Sequence, residues 1–225
     1  MLATEALDNH HARAQLAARP RLLPLVTRPA TGNVVLAGTQ AYVPLDYDES
    51  SPAALIVMLH GAGGDALQAL ALAIPVADRN AIILAPKSHR STWDIVHGLG
   101  PDVETIDRAL AATFDTYAID PEHIAIGGFS DGASYALTLG LANGNLFKTI
   151  VAFSPGFEAA PVRTGKPKVF ISHGTRDRVL RIDRTSRRLA TTLRTRGLDL
   201  DYVEFDGTHS VPTDVVERGF ARWLS

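Results

Sequence analysis

The sequence predicts an α/β fold, a mainly parallel sheet with helices on both faces, in one domain from residue 31 to residue 225 and without a large lid. Three observations predict it. From residue 53 onward, short apolar runs alternate with stretches of helical periodicity, the pattern of strands joined by right-handed helical crossovers. Several of the runs, such as 53–59 and 81–85, are apolar at every position, which suits strands covered on both faces. Between one such run (123–127) and one such helix (133–141) stands Gly128-Phe129-Ser130-Asp131-Gly132, a strand, a G-x-S-x-G turn and a helix in succession.

In chain order, residues 1–22 have weak helical periodicity, and Pro20, Pro24 and Pro29 break any helix, so residues 1–30 read as a loosely ordered N-terminal arm. Its neighbours His10 and His11 do not share a helix face and lack the further ligands that a zinc site needs. Residues 33–36 and 40–45 read as two short strands around Gly38. A polar loop leads to the strand 53–59, the glycine-rich His60-Gly61-Ala62-Gly63-Gly64-Asp65, a helix over 66–78, and the strand 81–85 that Pro86 stops. The loop 87–101 holds Trp93, Asp94 and His97, and 102–117 has helical spacing at Val103, Ile106, Leu110 and Phe114. Beyond the Ser130 helix come strands at 148–153 and 168–172, a helix over 181–196, a last strand at 201–205 and a closing helix over 211–224.

Composition removes several classes of function. The 225 residues, 46 % of them hydrophobic, suffice for one substantial core. A formal net charge of −2 offers no bulk attraction to nucleic acid, and the basic residues of 176–196 read as a solvated helix face. There is no cysteine, hence no disulfide framework and no thiol nucleophile. No apolar run reaches membrane-spanning length and the first 30 residues lack a signal-peptide pattern, so a soluble cytoplasmic protein is expected.

The G-x-S-x-G turn carries the chemistry. A serine on a sharp, strained turn projects its oxygen above the sheet edge, and the turn needs glycine where strand and helix come close. The helix that follows aims free N–H groups and partial positive charge at that oxygen. Serine alone is a weak nucleophile and needs a base, itself oriented by an acid. Reacting groups of such sheets sit beyond the carboxyl ends of the strands. His209 lies there, in the loop after the last strand; His173 also ends a strand, but a tight turn follows it. For the acid, Asp177 follows the strand ending at Ser172, Asp183 falls within the expected helix, and Asp206 is close to His209 in sequence. The chain order Ser…Asp…His selects Ser130, Asp177 and His209. The glycines at 61–64 present backbone N–H groups to an oxyanion, with Ala62 and Asp131 as the donors. A phosphate loop is excluded there, because no lysine and Ser/Thr follow the glycines.

This set resembles the α/β-hydrolase fold and, within it, the phospholipase/carboxylesterase group that includes acyl-protein thioesterases. The matching pieces are residues 59–64, 127–132, 173–177 and Thr208-His209, in family order across most of the chain from about residue 53. The resemblance implies hydrolysis of carboxylic esters or thioesters with no cofactor and no metal. Two features depart from the group: Asp131 stands where glutamine is frequent, and the loop carrying Trp93 is unusual.

The expected reaction is acyl transfer through Ser130, with His209 as base and then acid, and Asp177 holding the imidazole. The expected partner is a small ester, and neither nucleic acid nor a membrane. About 14 residues separate the strands ending at Phe153 and beginning at Lys168, too few for a helical lid. That leaves an open cleft for short-chain substrates, with Trp93 as its aromatic wall. A peptidase or amidase using the same three residues, and a non-catalytic binding protein on the same fold, are the rival readings.

Overall fold

The computed structural model describes residues 14–225, the side chains of residues 77, 78, 96 and 97 excepted. His10 and His11 lie outside the described residues. Eight strands form one sheet: β1 (Gly32–Leu36), β2 (Thr39–Val43), β3 (Ala53–Leu59), β4 (Ala81–Ala85), β5 (Ile119–Phe129), β6 (Thr149–Phe153), β7 (Lys168–Gly174) and β8 (Leu200–Phe205). Their order is β1-β2-β4-β3-β5-β6-β7-β8. β1, β2 and β4 pair antiparallel, and every pairing from β4 to β8 is parallel. The helices are α1 (Ala66–Ala73), α2 (Pro101–Thr116), α3 (Asp131–Ala142), α4 (Ser186–Thr195) and α5 (Thr213–Trp223).

Strand alternation splits the core in two. Leu55, Val57 and Leu59 of β3 point to the face covered by α2, α3 and α4, where Ile106, Leu110, Phe114, Leu139 and Leu193 are buried. Ile56 and Met58 point to the opposite face, covered by α1 and α5 through Leu70, Val216, Phe220 and Trp223. Both faces are dry, which is why β3 and β4 are apolar throughout.

The elements depart from expectation where prolines and bulges intervene. The helix expected over 66–78 ends as α-helix at Ala73 and continues as a 3-10 turn, Ile74–Arg79, because Pro75 has no N–H to give the preceding turn. β5 starts four residues earlier than the apolar run: Ile119 pairs with Ala53 across a register shift. The helix expected over 181–196 divides into a 3-10 turn, Ile182–Arg184, and α4. Within the expected N-terminal arm, Leu16 donates its N–H to Asn143 Oδ1 at 2.9 Å, and the Asn143 amide donates to the Ala14 carbonyl at 2.8 Å. Ala17 and Ala18 both donate to Asp107 Oδ1.

The register aligns the strand ends. Leu59 pairs with Gly128, Phe129 with Phe153 and Phe153 with Ser172. The segments leaving β3, β5, β7 and β8 therefore emerge along one edge, and these four segments carry His60, Ser130, Asp177 and His209.

Candidate active site

Ser130 is the hinge between β5 and α3, with φ +58° and ψ −116°. A left-handed φ on a residue with a Cβ costs on the order of 1–3 kcal/mol and persists only where the surroundings impose it. Here its N–H donates to the Phe153 carbonyl at 2.9 Å, and its own carbonyl accepts the Ser134 N–H at 3.1 Å. The turn is so tight that a Cβ on Gly128 would lie 2.5 Å from the Gly132 carbonyl carbon and oxygen, which restricts that position to glycine.

The structure brings Ser130, His209 and Asp177 together. His209 Nε2 is 2.8 Å from Ser130 Oγ, and His209 Nδ1 is 2.6 Å from Asp177 Oδ2. Facing a carboxylate, Nδ1 carries the proton, which leaves Nε2 free to accept the serine hydroxyl. The Phe129 ring packs on the imidazole, centroids 4.7 Å apart. Asp177 is wholly buried as a side chain, and Oδ1 accepts the N–H groups of Val179 at 2.8 Å and Leu180 at 2.9 Å. Burial alone would raise its pKa, but the Leu180 N–H and the His209 ring outweigh it and hold the carboxyl below its usual range.

His173 lies behind this carboxylate. It is fully buried, 3.1 Å from Asp177 Oδ2, and its Nε2 donates to the Leu180 carbonyl at 2.7 Å. Ser186 Oγ lies 2.6 Å from Nδ1. Burial pushes the imidazole pKa down against the opposing pull of the Leu180 carbonyl and Asp177, which keeps the ring neutral. The rivals for the acid are elsewhere: Asp183 accepts from Arg187 at 2.5 Å on the exposed surface, and Asp206 pairs with Arg176.

The glycine-rich segment after β3 lies against the elbow. A Cβ on Gly61 would be 3.5 Å from the Cβ of Ser130. Among the described residues, the N–H groups of Ala62 and Asp131 have no hydrogen-bond acceptor. The Asp131 carboxylate takes the Trp93 backbone N–H at 2.9 Å. Burial raises its pKa, and the Trp93 N–H partly offsets this.

Trp93 requires a correction. The sequence reads it as the wall of the cleft, but it is 0 % exposed, and a side chain closed to solvent offers no surface to a substrate. Its indole packs against the His60 and Tyr135 rings and donates Nε1–H to the His60 carbonyl at 2.9 Å. A tryptophan in a loop of an open sheet edge gives no sequence signal to separate these two placements. The packing of Phe129 on His209 is likewise invisible in the sequence, because it depends on the β8 loop folding back over the elbow. No group of His, Asp and Glu able to hold a metal ion occurs among the described residues. No helix among them is long and apolar enough to cross a membrane.

Comparison with known proteins adds a family. The sequence profile of the phospholipase/carboxylesterase family matches residues 101–218. No curated protein matches in sequence. Among solved structures, esterase PE8 superposes with a TM-score of 0.67 at 22 % identity, over 87 % of this chain and 97 % of that one. The Bacillus cereus carboxylesterase gives 0.64 at 21 % identity, over 83 % of this chain and 93 % of that one. A ferulic acid esterase from Anaeromyces mucronatus, in complex with ferulic acid, gives 0.65 at 16 % identity over 93 % and 96 %. At these identities the structural likeness speaks for the α/β-hydrolase fold.

Proposed function

The chain belongs to the phospholipase/carboxylesterase family and is an esterase, and from that premise we propose that it cleaves small carboxylic esters by acyl transfer to Ser130. The observation that carries this reading is the continuous relay from Ser130 Oγ through His209 to Asp177, with steps of 2.8 Å and 2.6 Å. His209 Nε2 takes the hydroxyl proton as Ser130 Oγ bonds to the acyl carbon. The Ala62 and Asp131 N–H groups hold the oxyanion, and Asp177 stabilises the imidazolium it faces. The tetrahedral intermediate collapses, His209 gives its proton to the leaving alcohol, and the acyl group stays on Ser130. Water, deprotonated by His209, then adds to the acyl-enzyme and releases the acid.

The segment between β6 and β7 carries no helix, which supports an open site and short-chain acyl groups; thioesters fall within the same chemistry. A panel of 4-nitrophenyl esters, acyl thioesters and amides, run with and without a fluorophosphonate, tests the reading. Ester turnover that stops on labelling of Ser130 is expected. Amide turnover above ester turnover would mark a peptidase, and neither turnover nor labelling would mark a binding protein on this fold.

A further inference from the structure

The Asp131 carboxylate and the Trp93 side chain take no part in the acyl transfer, yet both are bonded into its frame. Asp131 Oδ2 accepts the Trp93 N–H at 2.9 Å, and the Trp93 indole N–H donates to the His60 carbonyl at 2.9 Å. Tyr135 lies one turn beyond Asp131 on α3, so the two side chains share a helix face. The Tyr135 hydroxyl donates to Asp94 Oδ1 at 2.6 Å. α3 thus grips consecutive residues of the β4–α2 loop, Trp93 through Asp131 and Asp94 through Tyr135. The same loop is fastened to the segment after β3 at two more points: the Ser88 N–H donates to His60 Nε2 at 3.1 Å, and the Gly63 N–H to the Ser91 carbonyl at 2.6 Å.

We propose that the Asp131 carboxylate is a positioning residue for the oxyanion loop: through Trp93 it fixes the His60–Gly61 peptide, and with it the N–H of Ala62, the residue after the Gly61 that lies against Ser130. The inference rests on the acyl-transfer reading of Ser130. Its physical basis is the ionic acceptor: a carboxylate binds a backbone N–H more strongly than a neutral oxygen does, and this one is anchored on the helix that begins at the nucleophile. An oxyanion donor is useful only where the charge develops. Deleting one costs about 10²–10³-fold in kcat, so loosening one costs less than that ceiling.

The test uses the full chain with a short-chain 4-nitrophenyl ester and a trifluoromethyl ketone, a mimic of the tetrahedral adduct. Asp131→Ala lowers kcat by about 10- to 100-fold with KM nearly unchanged, and raises the ketone Ki by the factor that kcat/KM loses. Asp131→Asn, which keeps a weaker, neutral acceptor oxygen, restores part of kcat and of ketone affinity. Trp93→Phe keeps a ring and removes the indole N–H; it shifts both readouts the same way, and combined with Asp131→Ala it adds little, since both cut one chain of contacts. The proposal is overturned if Asp131→Ala stays within about twofold of wild type, if Asn is as slow as Ala, if kcat falls while the ketone Ki holds, or if the two losses multiply. Should Asp131→Ala not fold, Trp93→Phe carries the same two readouts. Fluorophosphonate labelling separates the levels: a wild type not labelled at Ser130 overturns the function, whereas labelling at Ser130 with unaffected variants overturns this inference alone.

Discussion

A Cβ on Gly132 would stand 2.4 Å from the His60 carbonyl oxygen and equally close to that of Leu59. The first turn of α3 therefore lies flush on the end of β3, and the carbonyl it touches is the one that the Trp93 indole holds. Both contacts are backbone, so neither can swing aside. Gly132→Ala is expected to push helix and strand apart, at about 1–3 kcal/mol of overpacking. For a chain of this size that lowers Tm by about 2–4 °C per kcal/mol. Because the displaced strand end carries the proposed oxyanion loop, kcat against a short-chain ester should also fall, by about tenfold or more. A thermal melt and a rate measurement on the same sample check both, and a variant matching wild type in each would mean the contact is softer than its geometry.

Ser130→Ala should lose ester hydrolysis by on the order of 10³-fold or more while keeping its Tm, since the turn carries the same strain with alanine as with serine. Peptide mapping after fluorophosphonate treatment should find the label on Ser130, and a label on any other serine overturns the assignment.

Asp177 and Asp183 offer a direct contrast. Asp177 is buried against His209, whereas Asp183 sits on the surface with Arg187. Asp177→Asn should lower kcat by about 10²- to 10⁴-fold, because an amide no longer fixes the required tautomer or stabilises the imidazolium. Asp183→Asn should leave the rate within about twofold, as surface substitutions away from a site usually do. Steady-state kinetics on both variants decides, and the reverse ranking would move the acid to Asp183.

The parts of the fold legible in the sequence are those written by burial and by local turn chemistry. Strands apolar at every position, such as β3 and β4, announce a sheet covered on both faces, and Gly128 and Gly132 bracket a turn that no larger residue would fit. The strand-end rule places Ser130, Asp177 and His209 in loops along one edge, where the structure also places them. Contacts made between loops are different. Trp93 reads as a cleft wall until Asp131 and His60 are seen to hold both of its N–H groups. The Asp131 carboxylate stands out in the sequence only as a departure from glutamine, because its partner lies 38 positions away on another loop. Pro75 does print a signal, a break inside the stretch read as one helix, which the run of apolar residues around it masks.

His173 gives a prediction on stability. Its pKa is held below the ordinary imidazole value of about 6.5, first by burial and further by the His209 ring, with the Leu180 carbonyl and Asp177 pulling the other way. The unfolded chain therefore takes up a proton at this imidazole before the folded chain does. Where the unfolded state binds more protons, stability rises with pH. The contribution of His173 is thus fully present above the unfolded pKa near 6.5 and is lost as pH falls from there toward the folded value. The Asp177 pKa is also depressed, but its window lies below the usual carboxylate range and does not overlap this one. His173→Gln keeps an N–H able to face the Leu180 carbonyl and removes the titration. Urea unfolding of wild type and variant at intervals from pH 7.5 to 5 should give a difference in stability that shrinks as pH falls, since only the wild type carries the cost of a buried imidazole refusing its proton. A difference constant across that range would mean that His173 binds its proton equally in both states, and that its burial is not what holds it neutral beside Asp177.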